Sequence, residues 1–332
     1  MNRILMIPIW HGWYVEAYAE YLIRYLGDEF FMEIGTVPYP PYKNFLDRYP
    51  ETSPFERSPD DYDLIWPMWA GAWHVIDQDK YAPKVASVFY THSEGRYKDI
   101  AVLGAATPHV EKALDLEGTP YHSLRFGVDT NLFAPYMLVR EDDLFHAGYV
   151  GNQVNDRHMV KTVVGPVSDI SGVRLMIYPS SWVNNGGALD QWDGERLMKY
   201  VVTGDKRWTG MPNIYNSLDV LLRIDQDPAY SFPTMEAAAC GVPVICTDSG
   251  IDHLLCEAGG GILITGDRNY YMNNQADVAR RVGEAVIYLR DHPEERKEMG
   301  LKARKFFENN WTWDKYIPAW REFFRDGLRK AR

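Results

Sequence analysis

Short continuous apolar runs alternate along the chain with longer stretches of helical period. RILMIPIW (3–10) reads as a buried first strand, with His11, Gly12 and Trp13 forming the turn after it. YVEAYAEYLIRYLG (14–27) places its apolar residues at helical spacing and stops on Gly27. FFMEIGTV (30–37), YDLIWPMW (62–69) and KVASVFYTH (84–92) are strand-like, and residues 99–114 give a strand or turn followed by a helix. The Pro-rich segment 38–61 interrupts this series as an irregular excursion.

The alternation then restarts. LFHAGYVG (144–151) and GVRLMIYP (172–179) are strands, and IYNSLDVLLRI (214–224) runs from a short helix into a strand. TMEAAACG (234–241) is a helix, followed by strands in VPVICTD (242–248) and GGGILIT (259–265). Two amphipathic helices surround a His-Pro break within 275–311, and 313–330 is a last helix. Strand–helix alternation in both halves predicts two α/β domains with parallel sheets. A length of 332 residues suits two such cores.

The chemistry concentrates in SFPTMEAAACGVPVICTDSG (231–250). Ligands of open α/β sheets bind beyond the carboxyl ends of the strands, and a helix N-terminus there suits a diphosphate. Ser231 and Thr234 are candidate caps, Pro233 suits the first turn, and the alanines let the backbone come close. Glu236, one turn in, can accept hydrogen bonds from a ribose diol. An alanine-rich core helix with a solvated glutamate fits the same residues.

Composition narrows the partners. Residues 1–135 hold 11 Lys and Arg against 19 Asp and Glu, and the remainder holds 24 against 27. Neither part has the basic surplus of a non-specific phosphate-backbone binder. Cys240, Cys246 and Cys256 match no zinc spacing and read as core residues. Residues 1–10 lack a signal-peptide cleavage pattern, and no apolar run approaches the ~20 residues of a membrane span. The expectation is a cytoplasmic protein without a membrane span. Aromatic residues make up 14% of the chain, with 11 Trp, so sugar- or base-stacking surfaces are open to it.

The stretch LDVLLRIDQDPAYSFPTMEAAACGVPVICTDSG (218–250) resembles the donor-binding signature of retaining GT-B glycosyltransferases, especially glycosyltransferase family 4, glycosyl transferases group 1. FGVDTNLFAP (126–135) is similar to the element that closes that family's first domain, and 291–324 is similar to its C-terminal helices. The resemblance implies two Rossmann-like domains facing across a cleft, with the last helix crossing back to the first. The expected boundaries are 1–135 plus about 313–332 for an acceptor-binding domain, and 136–312 for a nucleotide-sugar donor-binding domain.

Residue by residue, Glu236 takes the place of the glutamate that binds the donor ribose. Phe232, Pro233 and Thr234, next to Ser231, stand where backbone amides hold the distal phosphate and sugar. The family's other glutamate, which contacts the donor sugar, falls on Pro228, flanked by Asp225 and Asp227; Asp227 is the candidate substitute. In GNQVNDRH (151–158) Gly151 is kept, Asn152 replaces the family's Arg, and Arg157 sits at the Lys spacing, with Lys161 as a fallback. Arg suits a diphosphate through bidentate contacts.

In the first half, Gly12 stands where the family has a Gly-rich loop, and His11 and Trp13 flank it. VFYTHSEG (88–95) resembles a strand end that would set His92 near the anomeric carbon, with Glu94 close by. Trp66, Trp69 and Trp73 are candidate acceptor stacking residues, and a packed aromatic core fits them as well.

The resemblance implies a hexosyl- or pentosyltransferase. It would move sugar from a UDP- or GDP-sugar to an acceptor hydroxyl with retention, without a metal or permanently bound cofactor. The literal Asp-x-Asp at 225–227 lies inside the donor signature, which argues against a cation role. A glycan, lipid or small molecule is the expected acceptor. The alternatives are a weak or non-catalytic nucleotide-sugar binder, which Pro228 and Asn152 favour, transfer to modified bases in nucleic acid, and a sugar-phosphate epimerase of the same architecture. Donor nucleotide, sugar, acceptor and oligomeric state stay open.

Overall fold

The computed structural model describes residues 1–8, 14–37, 56–68, 76–90, 99–151, 160–179, 200, 210–224, 231–248, 251–266 and 268–331. The chain forms two compact units, Met1–Gly127 with Trp313–Arg332, and Val128–Thr312.

In the first unit the apolar runs become parallel strands β1 (Arg3–Ile7), β2 (Phe31–Ile34), β3 (Leu64–Pro67), β4 (Ala86–Phe89), β5 (Val102–Ala105) and β6 (His122–Ser123). They pair as β2-β1-β3 and β4-β5-β6, and a single parallel bridge from Ile65 to Val85 joins the two parts. Helices α1 (Tyr14–Leu26), α2 (Gln78–Tyr81) and α3 (Pro108–Glu117) lie between strands. The start of α3 follows its sequence: Thr107 Oγ1 accepts from Val110 N at 3.3 Å, Pro108 opens the first turn, and Gly118 closes the helix at φ 66°.

The core of this unit is completed by the C-terminal helix Trp313–Lys330. Its Trp313, Ile317, Trp320, Phe323 and Phe324 follow a helical apolar stripe, and all are buried. Trp320 lies 5.1 Å from Trp66 and 5.1 Å from Phe126 between ring centroids, and its Nε1 donates to the Arg125 carbonyl at 2.8 Å. Gly327 lets this helix come close: a Cβ there would stand 2.7 Å from Val102 Cγ1 on β5 and 3.1 Å from Leu64 Cδ2 on β3.

The same packing corrects one expectation. Trp66 has no exposed surface and sits against Trp320 and Phe324 on β3. It is a core residue and presents no ring face to an acceptor, because the strand's inward face and the returning helix enclose it.

Among the described residues, the second unit has a five-stranded parallel sheet: β7 (Phe145–Gly151), β8 (Val173–Pro179), β9 (Val220–Arg223), β10 (Val244–Thr247) and β11 (Gly261–Ile264), in the order β11-β10-β9-β7-β8. Its helices are α4 (Gly165–Ser168), entered through a π turn at Val160–Val164, α5 (Met211–Asn216), α6 (Phe232–Ala239), α7 (Ile251–Glu257), α8 (Arg268–Asn273), α9 (Gln275–Asp291) and α10 (Pro293–Asn310). The core joins Tyr149, Ile177, Leu222 and Ile245 from the strands to Val278, Val282 and Val286 of α9. Among the described residues no helix is long and apolar enough to cross a membrane.

Replacing Trp66 with Ala removes a fully enclosed ring from the first unit. The expected cost is about 3–5 kcal/mol of unfolding free energy, read from urea denaturation.

Candidate functional site

The first strand of the second sheet, β7, has β8 on one side and β9 on the other, so the strand order turns back between β7 and β9. In a doubly wound sheet that turning point opens a crevice at the carboxyl edge. Gly151 ends β7 there, with φ 156°, and Arg223 ends β9.

α6 begins at the same edge. Ser231 holds the N-cap position and Pro233 lies in the first turn, as the sequence suggests. The capping expectation needs correction, because the Ser231 side chain makes no bond to the helix backbone. Its Oγ instead accepts from Arg223 Nε at 2.9 Å and pairs with Thr234 Oγ1 at 2.6 Å. Ser231 and Thr234 are fully buried and Arg223 nearly so. A buried guanidinium is thus tied to the start of the helix, and a positive charge joins the positive end of the helix dipole.

The far end of α6 is fixed as firmly. Gly241 takes φ 78°, and the Gly241 and Val242 N–H groups return to the Ala238 and Ala237 carbonyls at 2.9 and 3.0 Å. This double closure is the Schellman pattern, and it explains the Gly after the alanine run. A Cβ on Gly300 of α10 would stand 2.0 Å from the Gly241 carbonyl oxygen, so the two segments meet at backbone distance. Arg304 of α10 donates to the Ala239 carbonyl and to Phe133 O at 3.1 Å, which places a cation at the negative end of α6.

Glu236 sits one turn into this braced helix. Its residue surface is half-buried, yet its carboxyl group lies deep among protein atoms. Desolvation pushes its pKa up to about 7, against the opposing pull of a hydrogen bond from Tyr215. That bond runs from Tyr215 Oη to Glu236 Oε2 at 2.6 Å. Tyr215, on α5, is fully buried, and burial beside Glu236 drives its own pKa well upward, so it remains a donor. Burial also pushes the Cys240 thiol up to about 12, consistent with a packing role.

Two further strand ends, those of β10 and β11, are tied down at this edge. Thr247 Oγ1 donates to the Arg223 carbonyl at 3.5 Å, Tyr271 Oη to the Ile264 carbonyl at 2.5 Å, and Asp248 N to Tyr271 Oη at 3.0 Å. Asp219, at the opposite end of β9, accepts from His146 N at 2.9 Å and pairs with Arg140 and Arg296. It serves the sheet and lies away from the carboxyl edge.

Residues 160–322, about half of the chain, match the family described as glycosyl transferase-like. The whole chain is similar to a sucrose-phosphate synthase from Thermosynechococcus elongatus, at TM-score 0.68 and 13% identity, covering 98% of each chain. It is similar to HepE from Anabaena in complex with UDP-glucose, at TM-score 0.68 and 12% identity, covering 98% of this chain and 100% of that one. It is also similar to a glycosyltransferase from Rickettsia africae, at TM-score 0.64 and 15% identity, covering 99% of each. No curated protein matches the sequence. The chain is a glycosyltransferase of the GT-B fold.

In this glycosyltransferase the described part of the expected site brings together Gly151, Ser231, Phe232, Pro233, Thr234 and Glu236 at one sheet edge. His11, Gly12, Trp13, Trp69, Trp73, His92, Asn152, Arg157 and Asp227 lie outside the described residues, as do Glu94, Asp225 and Pro228. Two residues at the site were not expected. Arg223 carried a signal, a lone charge at the end of an apolar strand run. Tyr215 carried none, since its partner is 21 positions away.

The folded protein holds the Glu236 proton between about pH 4.5 and 7, where the unfolded chain has released it. Stability therefore falls as pH rises through that window. Glu236→Gln removes the loss, so its stability relative to wild type is greater at pH 8 than at pH 4.5. Urea midpoints at the two pH values check this.

Proposed function

We propose that the second unit binds a nucleotide-sugar donor and that the enzyme transfers the sugar to an acceptor hydroxyl with retention and without a metal ion. The carrying observation is Glu236, a carboxylate one turn into a helix that opens at the carboxyl edge beside the turning point of the sheet. Glu236 accepts the ribose hydroxyls. The start of α6, from Ser231 to Thr234, faces the diphosphate, and Phe232 and Pro233 carry the backbone that approaches it. Gly151 keeps the end of β7 free of a side chain.

Charge on the leaving diphosphate grows as the glycosidic bond breaks. Fixed positive groups stabilise that change without reorganising. Arg157 supplies the cation expected from the sequence, and Arg223 adds one held against Ser231. Asp227 takes over the donor-sugar contact that Pro228 cannot make. The family resemblance assigns His92 to the anomeric carbon, and the sequence assigns His11, Gly12, Trp13, Trp69 and Trp73 to acceptor binding. The donor is a UDP- or GDP-sugar, and HepE, whose structure holds UDP-glucose, supports the uridine form. The acceptor is a glycan, lipid or small molecule.

Calorimetric titration with UDP, GDP, ADP and CMP tests the site. One nucleotide binds at micromolar Kd with EDTA present, and Glu236→Ala weakens it at least about tenfold, or ~1.4 kcal/mol. Absence of binding by all four, in folded protein, would sink the donor assignment and favour a scaffold without transfer activity. The anomer of the transferred sugar, read by NMR, decides retention.

A further inference from the structure

We infer that Tyr215 is a positioning residue for donor binding: its phenol holds the Glu236 carboxyl oriented for a vicinal diol, and so sets the preference for ribonucleotides over 2′-deoxyribonucleotides. The inference rests on the donor-site reading above.

The geometry assigns the two carboxylate oxygens different work. Oε2 accepts the Tyr215 hydroxyl at 2.6 Å, while Oε1 has no hydrogen-bond partner among the described residues. A carboxylate fixed through one oxygen offers the other in a defined direction. Tyr215 is itself immobilised. It is fully buried, and its ring lies 6.1 Å from that of Phe133. The next residue, Asn216, donates from Nδ2 to the Ala134 and Pro212 carbonyls at 3.0 and 2.9 Å. The phenol therefore approaches Glu236 from a rigid mount rather than a free rotamer.

The bond also acts on protonation. Burial disfavours the charged carboxyl, and the Tyr215 hydrogen bond is the interaction that opposes burial. Among the described residues, the other charged or titratable groups near it are few. Its own helix contributes Cys240, α10 contributes Arg304, held at the Ala239 carbonyl, and β9 contributes Arg223, held at Ser231. The thiol on β10, Cys246, faces Cys256 at 3.3 Å. A protonated carboxyl presents one acceptor and a hydroxyl to the ribose, and loses the charge-assisted bonds that favour a diol. Without the phenol, Glu236 keeps its proton to higher pH and is free to turn.

Binding of UDP and 2′-deoxy-UDP, with GDP and 2′-deoxy-GDP in parallel, is measured from pH 6 to 9 on wild type, Tyr215→Phe and Glu236→Ala. Wild type favours the ribonucleotide about tenfold, and the preference grows as pH rises through about 7. Tyr215→Phe loses several-fold of that preference at pH 7 and recovers part of it at pH 9, because the ionisation has moved upward. Its 2′-deoxynucleotide affinity stays within about twofold of wild type. An unchanged ratio and midpoint in Tyr215→Phe overturns the inference. Equal loss of both nucleotides in that variant also overturns it, since that marks a purely structural role. A wild-type ratio flat from pH 6 to 9 overturns it without any variant. Failure of wild type to bind UDP or GDP removes the donor-site reading itself. Should Tyr215→Phe not fold, the wild-type pH profile and Glu 13Cδ NMR of the Glu236 midpoint decide.

Discussion

The stripe Trp313, Trp320, Phe323 and Phe324 is the contact on which the first unit depends. Sequence separates it from β1 by some 300 residues, yet it covers Trp66 of β3 and Phe126 at the end of the first segment. Large aromatic rings bring much apolar area and few rotamers, so a single helix of this kind closes a small sheet efficiently. The consequence is topological: the first unit cannot complete its core until residues 313–324 have been made. In the second unit, Val128 N donates to the Trp311 carbonyl at 2.8 Å, so the departing and returning segments run side by side.

In the second unit the governing constraint is the parallel sheet. Every strand delivers its carboxyl end to one edge, and the order β11-β10-β9-β7-β8 turns back beside Gly151 and Arg223. α6 could not sit there with bulky side chains. Ala237, Ala238 and Ala239 are fully buried, and the Gly241–Gly300 contact brings α10 to backbone distance. The small residues are therefore set by packing, and the freedom to vary along α6 is confined to its partly exposed positions, Pro233 and Glu236.

Much of this was legible because it rests on local pattern. The strand runs, the periodic helices and the Gly-Val-Pro stop after the alanines all report geometry within a few residues. The short helices α7 and α8 were not legible, since six or seven residues carry too little period to separate them from turns. Trp66 shows a different limit. A Trp-rich strand end fits a stacking surface and a packed core equally, and only the returning helix, far away in sequence, decides between them. Tyr215 and Arg223 belong to the same class. Glu236 was visible as a lone acid among alanines, but its partner on α5 and the Arg223–Ser231–Thr234 chain arise from tertiary proximity. Of the candidate site, the α6 part is described, while the roles of Arg157 and His92 rest on sequence resemblance.

Burying the Glu236 carboxyl is unfavourable by itself, and among the described residues it has one hydrogen bond where full compensation would take several. A residue kept only for packing would be better served there by Gln or Met, which fill similar volume without an ionisable group. The incomplete compensation makes sense if the missing partners arrive with a ligand. A diol would supply two hydroxyl donors to a carboxylate already aimed by Tyr215, and the free protein would carry the strain until then. Arg223, a buried guanidinium, is held against Ser231 at the head of the same helix. The Glu236 carboxyl and the Arg223 guanidinium thus lie at one edge of one sheet, on either side of the first turn of α6. On the proposed donor-site reading, a nucleoside diphosphate would meet both, with hydroxyl donors at the ribose for Glu236 and anionic oxygens at the phosphates near the head of α6.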